Sequence, residues 1–244
     1  MTNDELWLYT LCKKNGVFIT DIEISLLTRF KTLLIEWNKK INLISRKNED
    51  TIWKNHIAVS LSLLFKIDFS SPSNILDLGT GGGFPGIPLS IILKNNRFVL
   101  LDSTQKKIIV VQSILQDLKL PNVTAIWGRA EEIQKQSGMA GSFDIVVARS
   151  VSNLPNLLEW GLPFLRDRKS DTADAEENSS KRYHTTSPFL VTFKGGEIDD
   201  EEKIAKRKFP KVKLRTIPLI FEGSEEFENQ DRKLIVATTT HDHG

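Results

Sequence analysis

Two carboxylates, a run of glycines and one arginine occupy positions where a small polar ligand could be held. In NILDLGTGGGFPGIPLS, Asn74 to Ser90, an aliphatic run ends in Asp77 and Leu78 and passes into four glycines within five positions. A main chain that bare lets a ligand approach the backbone itself, and in an open parallel sheet the ligand crevice lies at the carboxyl ends of the strands. Gly81, Gly83 and Gly86 meet the GxGxxG spacing of dinucleotide sites, so a nicotinamide cofactor is one candidate, although that spacing alone selects little. A second aliphatic run, VLLDS, ends in Asp102, where a carboxylate can accept hydrogen bonds from both hydroxyls of a ribose. WGRAEE puts Ala130 and Glu131 at the start of a helix after the next β-rich run, where acids are favourable to the helix dipole in any protein. FDIVVARSVSN ends its apolar run in Arg149, a cation that needs either an anionic ligand or a structural partner.

The elements that would position these residues alternate. Strands are expected at 75–78, 97–102, 123–128, 143–149 and 189–194, with helices between the first four starting near Gly86, Thr104 and Arg129, and another over 154–165. That spacing means βαβ units and a parallel sheet with helices on both faces. KVKLRTIPLIF and RKLIVATTT then follow one another with only an acidic loop between them, an antiparallel hairpin that leaves the sheet mixed. Before the alternation, Leu26, Leu27, Phe30, Leu33, Leu34, Trp37 and Ile41 recur at helical spacing, Thr20 and Glu23 form a possible capping box, and a second helix is expected over 53–65. Residues 1–70 therefore form an N-terminal helical extension and 71–244 the α/β domain. The polar stretch 167–187, with almost nothing to bury, is expected to be a flexible surface insertion.

With 244 residues, 40% hydrophobic and 26% charged, and a formal charge of +2, the composition is that of a globular protein, and the balance neither requires nor excludes a polyanionic partner. The lone cysteine, Cys12, allows no internal disulfide. No apolar run approaches the roughly 18 residues of a membrane span, and the N-terminus does not read as a signal peptide. A cytoplasmic protein with no membrane partner is the expectation. The candidate nucleic-acid surfaces are Lys39, Lys40, Arg46, Lys47 and Lys54 in the extension and Lys203, Lys206, Arg207, Lys208, Lys211, Lys213 and Arg215 near the end, each with a solvated charged face as the plain alternative. His56 alone reads as structural, and the tail HDHG is too short to make a metal site; no metal is expected.

Asp77 standing two residues before Gly79 also resembles the first motif of class I S-adenosylmethionine-dependent methyltransferases, in which the loop cradles the amino-acid end of the ligand and a nearby carboxylate suits its ammonium. The hairpin resembles the end of the methyltransferase sheet rather than a dinucleotide fold with six parallel strands. The fold expected is thus a Rossmann-like class I methyltransferase sheet, mixed, with the antiparallel C-terminal hairpin and the helical extension. Methylating C5 of a pyrimidine would need a cysteine nucleophile, and Cys12 lies far from the loop in sequence. Exocyclic amines are usually served by an Asn/Asp-Pro-Pro-aromatic motif, where this chain has Arg149-Ser150-Val151. An acceptor that already presents a lone pair, such as guanine N7, needs neither nucleophile nor base, so the catalytic residue stays unknown.

Taken together, LLIEWNKKINLISRKNEDTIWKNHIAVSLSLL, ILDLGTGGGFPGIPLSI, LLDSTQKK, GRAEE, FDIVVARSVSNL and FKGGEIDDEEKIAKRK resemble the 16S rRNA guanine-N7 methyltransferase family RsmG, also called glucose-inhibited division protein B, in the same order along nearly the whole chain. The resemblance implies S-adenosyl-L-methionine as cofactor, 16S rRNA or the 30S ribosomal subunit as partner, and a guanine of the decoding-region loop as acceptor, with a monomer as the working expectation. It implies cofactor contacts at Gly79, Gly81, Phe84, Asp102, Ser103, Thr104, Ala130, Glu131 and Arg149, and places Lys194, Gly195 and Gly196 near the acceptor. The insertion at 167–187 is longer than the family usually shows. A nicotinamide-dependent oxidoreductase and a non-catalytic rRNA-binding factor are the alternatives that cofactor binding and turnover would separate.

Overall fold

The computed structural model describes residues 1–45, 51–69, 72–135, 138–167, 182–183, 188–227 and 231–239. Helices α1 (Asn3–Lys14) and α2 (Asp21–Asn38) each open on a capping box, Thr2 with Glu5 and Thr20 with Glu23, in which side chain and backbone satisfy each other's orphan donors. The helix expected over 53–65 begins instead as a π-helical segment, Ile52–Ala58, and continues as two short helices, α3 (Val59–Leu61) and α4 (Leu63–Lys66). π-Helical turns insert a residue into the normal register and turn side chains off the usual face, and they recur at functional sites.

The alternating part follows as β1 (Asn74–Leu78), α5 (Gly86–Ile92), β2 (Arg97–Asp102), α6 (Gln105–Leu118), β3 (Val123–Trp127), α7 (Ala130–Ile133), β4 (Ile145–Arg149), α8 (Leu154–Gly161), β5 (Phe189–Gly195), α9 (Asp199–Lys208), β6 (Val212–Pro218) and β7 (Arg232–Thr239). The seven strands form one sheet in the order β3-β2-β1-β4-β5-β7-β6. Strands β1 to β5 are parallel, and β7 lies antiparallel between β5 and β6. The expected hairpin is therefore present, with its second strand inserted beside β5. Helix α9 has four acids in its first turn and three bases in its last, matching the helix dipole, a pattern that the apolar periodicity did not reveal because only Ala205 is buried.

Side chains of successive residues point to opposite faces of a strand, and the core divides accordingly. Ile75, Leu100, Val147 and Val191 face a core completed by α1, α2, the π-helical segment, α5 and α6. Leu76, Leu101, Val146 and Leu190 face a second core closed by α7, α8 and α9. The first core is continuous from Leu8 in the extension to Val236 in the last strand, so the extension is packed as one of the layers on the sheet. Glu23, buried at the start of α2, pairs with Lys94 at 2.8 Å across that junction. Most of the 167–187 stretch lies outside the described residues; within it, Tyr183 bridges to Ile67 and its ring lies under Arg215, 4.4 Å from the centroid. Among the described residues no helix is long and apolar enough to cross a membrane.

Candidate cofactor and acceptor clefts

Strand register alone assembles three of the expected residues. Leu78 pairs with Leu101 on one side and with Ala148 on the other. The residues one step further along each chain, Gly79, Asp102 and Arg149, thus stand side by side at the carboxyl edge of the sheet. Arg149 in turn pairs with Phe193, which brings Lys194 to the same edge.

The glycine loop bends across this edge and is tied down by its neighbours. The amides of Gly79 and Thr80 donate to the carbonyl of Leu101 at 2.8 and 3.0 Å. Gly81 N donates to Asp102 Oδ2 and Thr104 N to Asp102 Oδ1, both at 2.8 Å, so Asp102 fastens the loop and the start of α6 while its remaining lone pairs stay available. Gly81 has φ +57, and a Cβ built there would meet nothing within 4 Å: its backbone is open to the cavity. Gly86 is glycine for the opposite reason, because a Cβ would run into Leu100 and come within 2.6 Å of Asp77 Oδ2.

Asp77 is fully buried, and its Oδ2 accepts from Thr80 Oγ1 at 2.6 Å and from Gly86 N at 2.8 Å, closing the loop from below. It is therefore the loop's internal clamp and does not line the cavity above it, where the motif suggested a carboxylate for a ligand's ammonium. Burial pushes its carboxyl up to about 7, opposed by the Thr80 and Gly86 hydrogen bonds and by the Arg149 cation.

Above the loop lies a cavity of about 380 Å³ lined by Gly79, Gly81, Phe84, Asp102, Ser103, Thr104 and Arg149 from the expected set, joined by Leu43, Ile44, His56 and Lys107. Its size falls within the range of small-molecule clefts, about 300–1,000 Å³. Leu43 and Ile44 reach it because both their amides donate to Asn38 Oδ1, at 2.8 and 3.0 Å, curling the chain back beyond α2. Ala130 and Glu131 are not among the lining residues. They begin α7 one strand further out, with Ala130 packed in the second core. Trp127 closes the tip of β3 by donating from Nε1 to the carbonyl of Ser103 at 3.1 Å.

A second cavity, of about 340 Å³, adjoins the first and is lined by Asn55, Phe193, Lys194, Gly195 and Arg232. His56, Arg149 and Ser150 line both. Ser150 holds φ +56, a left-handed conformation uncommon outside glycine and found where a site constrains the chain. Lys194 is held by Glu201 Oε2 at 2.7 Å and by the carbonyl of Ser152 at 2.8 Å, and the same Glu201 oxygen accepts from Leu154 N, so the lysine also braces the start of α8. Gly196 does not line the cavity, and its carbonyl accepts from Lys233 Nζ at 2.7 Å.

Phe84 lines the first cavity and packs against the two shared side chains, His56 and Arg149. Its ring centroid lies 5.1 Å from Phe30, 5.0 Å from His56 and 5.1 Å from the Arg149 guanidinium carbon. Arg149 donates from Nη1 to the carbonyls of Asn55 and His56 at 3.2 and 3.4 Å, and its Nη2 lies 2.9 Å from His56 Nδ1. Burial lowers the Arg149 pKa to about 10, with Asp77 as its opposing charge. Burial, reinforced by the cations Arg149 and Arg232, lowers the His56 imidazole to about 4 and keeps it neutral. His56, Leu43, Ile44 and Ser150 were missed as site residues. The π-helical turn and the left-handed Ser150 leave no mark in apolar periodicity.

Of the basic groups, Lys203, Lys206 and Lys208 pair with Asp200, Glu202 and Glu159 at 3.2, 3.0 and 2.8 Å. Lys54 lies over the Trp7 ring and 3.6 Å from Glu226, and Lys40 lies over Trp37. Arg46 and Lys47 fall outside the described residues.

A family model, GidB, described as rRNA small subunit methyltransferase G, matches residues 23–173. A Flavobacterium johnsoniae protein named ribosomal RNA small subunit methyltransferase G is 36% identical over 212 residues, 87% of this chain and 90% of its own. One of the same name from Chlorobaculum tepidum is 39% identical over 201 residues, 82% of each chain. Among solved structures, an O-methyltransferase from Bacillus cereus in complex with SAH aligns with a TM-score of 0.52 at 15% identity, over 97% of this chain and 100% of that one. A putative O-methyltransferase from Klebsiella pneumoniae aligns with a TM-score of 0.52 at 13% identity, over 95% of each chain. At these identities the two structures show the shared fold.

Proposed function

The chain belongs to the rRNA small subunit methyltransferase G family; we propose that it methylates a guanine of 16S rRNA at N7, with S-adenosylmethionine in the glycine-loop cavity and the guanine presented through the adjoining one. The observation that carries this assignment of places is the shared wall of His56, Arg149 and Ser150. Two ligands on either side of it would meet along those three residues.

The residues present fit the cofactor. The open backbone at Gly81 admits a ligand to van der Waals contact, Asp102 offers acceptors for ribose hydroxyls, and Arg149 offers a cation to a carboxylate. Leu43, Ile44 and Phe84 supply apolar walls. When bound, S-adenosylmethionine supplies a methyl group on a sulfonium for in-line displacement. The acceptor N7 carries its lone pair free of a proton, so the chain has no proton to remove and its work is alignment. Such alignment is worth roughly 7–11 kcal/mol of barrier. Asp102, Ser103 and Thr104 would hold the nucleoside end and Gly79 and Gly81 the amino-acid end, while Ala130 and Glu131, outside the cavity lining, would be reached only by a base extending past Ser103. Phe193, Lys194 and Gly195 border the side from which the guanine enters, with Gly196 just outside.

We take the 30S subunit or its rRNA as the partner, the cytoplasm as the compartment and a monomer as the acting form. The test is transfer of labelled methyl from S-adenosylmethionine to 30S subunits from a strain lacking the enzyme, followed by nucleoside analysis. Label in 7-methylguanosine is the expected outcome. No label on 30S subunits, protein-free rRNA or assembly intermediates would overturn it, in favour of a binding role if S-adenosylmethionine still binds, or a nicotinamide cofactor if only NAD(P)H does.

A further inference from the structure

His56 is placed and partnered as a working part of the site. It lies on the π-helical segment, and its ring belongs to the wall that both cavities share. A guanidinium has no lone pair to offer, so the 2.9 Å contact with Arg149 Nη2 makes His56 Nδ1 the acceptor and puts the ring proton on Nε2. That Nε2 is buried, and no hydrogen-bond partner meets it among the described residues. A buried donor left unmade carries a desolvation cost, and a phenyl ring would fill the same space beside Phe84 without it. The feature that a phenyl ring cannot supply is the acceptor at Nδ1. Arg149, for its part, takes the bonds shown here from this single turn: two backbone carbonyls and the imidazole.

We propose that His56 is a positioning residue for methyl transfer: as the Nε2–H tautomer it holds the Arg149 guanidinium, through Nδ1, at the wall between the cofactor and acceptor cavities. The inference rests on the placement of the two ligands proposed above. The three acceptors in this turn are uncharged, so none of them neutralises Arg149 toward an anionic group in the first cavity, and His56 helps to determine where that charge stands. A carboxylate in place of the imidazole would also accept the bond, but it would neutralise the charge. Loss of the Nδ1 bond would leave the guanidinium held through Nη1 alone, by the two carbonyls at 3.2 and 3.4 Å, and free to turn about them, lowering both cofactor affinity and the alignment of the two substrates.

Three measurements test it on the full chain. Imidazole ¹⁵N NMR at neutral pH should show His56 protonated at Nε2 and bare at Nδ1. His56→Phe should remain as resistant to urea as the parent or become more so, yet bind S-adenosylhomocysteine about 10-fold or more weaker by calorimetry and lose turnover on 30S subunits. His56→Asn, whose side-chain oxygen can stand near the Nδ1 position, should recover most of that affinity. An Nδ1–H tautomer, parental S-adenosylhomocysteine affinity in His56→Phe, or equal loss in His56→Phe and His56→Asn would each overturn the proposal. If His56→Phe does not fold, the tautomer and the His56→Asn affinity still decide. A parent protein that fails to bind S-adenosylhomocysteine at all would refute the proposed cofactor site instead.

Discussion

Replacing either Asp77 or His56 should reveal a pH dependence of folding that the two groups conceal in each other. Burial pushes the Asp77 carboxyl up to about 7 and the His56 imidazole down to about 4, so both are neutral in the folded protein across the interval between. In an unfolded chain Asp ionises near ~3.9 and His near ~6.5. Between about pH 4 and 6.5 the unfolded pair therefore carries one proton, on the histidine, and the folded pair carries one, on the aspartate. Equal proton counts give no slope. Asp77→Asn leaves only His56, for which the unfolded state binds the extra proton. Stability is then fully present above about pH 6.5 and is lost toward pH 4, at about 1.4 kcal/mol per pH unit and by roughly 3 kcal/mol in all. His56→Gln leaves only Asp77, for which the folded state binds the extra proton. Its contribution is present below about pH 4 and is lost as pH rises toward about 7, by up to roughly 4 kcal/mol. Asparagine is a fair replacement at 77 because one oxygen can keep both accepted bonds, while Asp77 Oδ1 has no partner to lose among the described residues. Urea unfolding at several pH values, with m unchanged, reads the slopes directly. Parallel slopes in the parent and Asp77→Asn would refute the reasoning and mean that Arg149 keeps Asp77 ionised in the fold.

The two kinds of loop glycine should separate in the same assays. Gly86→Ala overpacks against Leu100 and Asp77 and should cost about 1–3 kcal/mol of stability, whereas Gly81→Ala meets no atom, costs about 1–2 kcal/mol for its left-handed backbone, and should act chiefly on S-adenosylhomocysteine affinity in calorimetry. Asp102→Asn leaves one oxygen to serve Gly81 N, Thr104 N and the ribose together, and should weaken S-adenosylhomocysteine by about 10- to 100-fold; unchanged affinity would remove the cavity from the cofactor. Glu201→Gln takes the opposing charge from Lys194 and weakens the bond to Leu154 N, and should lower stability by about 1–3 kcal/mol in urea unfolding while leaving S-adenosylhomocysteine affinity at the parental level.

What could be read from the chain followed the distance over which each feature is encoded. Arg97–Asp102 as a strand and the start of α6 next to Thr104 come from local apolar runs and the turn between them, and both are found where expected. The antiparallel ending was legible from two β-rich runs without a helix between them, but β7 inserting beside β5 was not, because pairing partners are chosen across the sheet. Gly79, Asp102 and Arg149 were recognisable because the latter two end strands and Gly79 directly follows one. Their meeting is a consequence of register, which joins Leu78 to both Leu101 and Ala148. The role of Asp77 was inverted for a related reason: its position before the glycines suggests ligand contact, and only the packed loop shows that Thr80 and Gly86 use its oxygen from within.

His56 shows where local reading ends. A single histidine in an aliphatic stretch carries no spacing that marks it, and its significance depends on Arg149, which arrives from a strand 93 residues later in the chain. It depends also on the extension being laid against the sheet, since Asn38 turns Leu43 and Ile44 into the cavity and the Glu23–Lys94 pair fixes α2 to the loop after α5. The extension therefore does more than cover an apolar face. Three of its side chains line the cavity whose other walls come from strand ends, and one of them continues into the adjoining cavity. A sheet of this class brings glycines, an acid and a cation to one edge by register alone. The acceptors that orient that cation between the two cavities come from none of the parallel strands, and in this chain the π-helical turn supplies them.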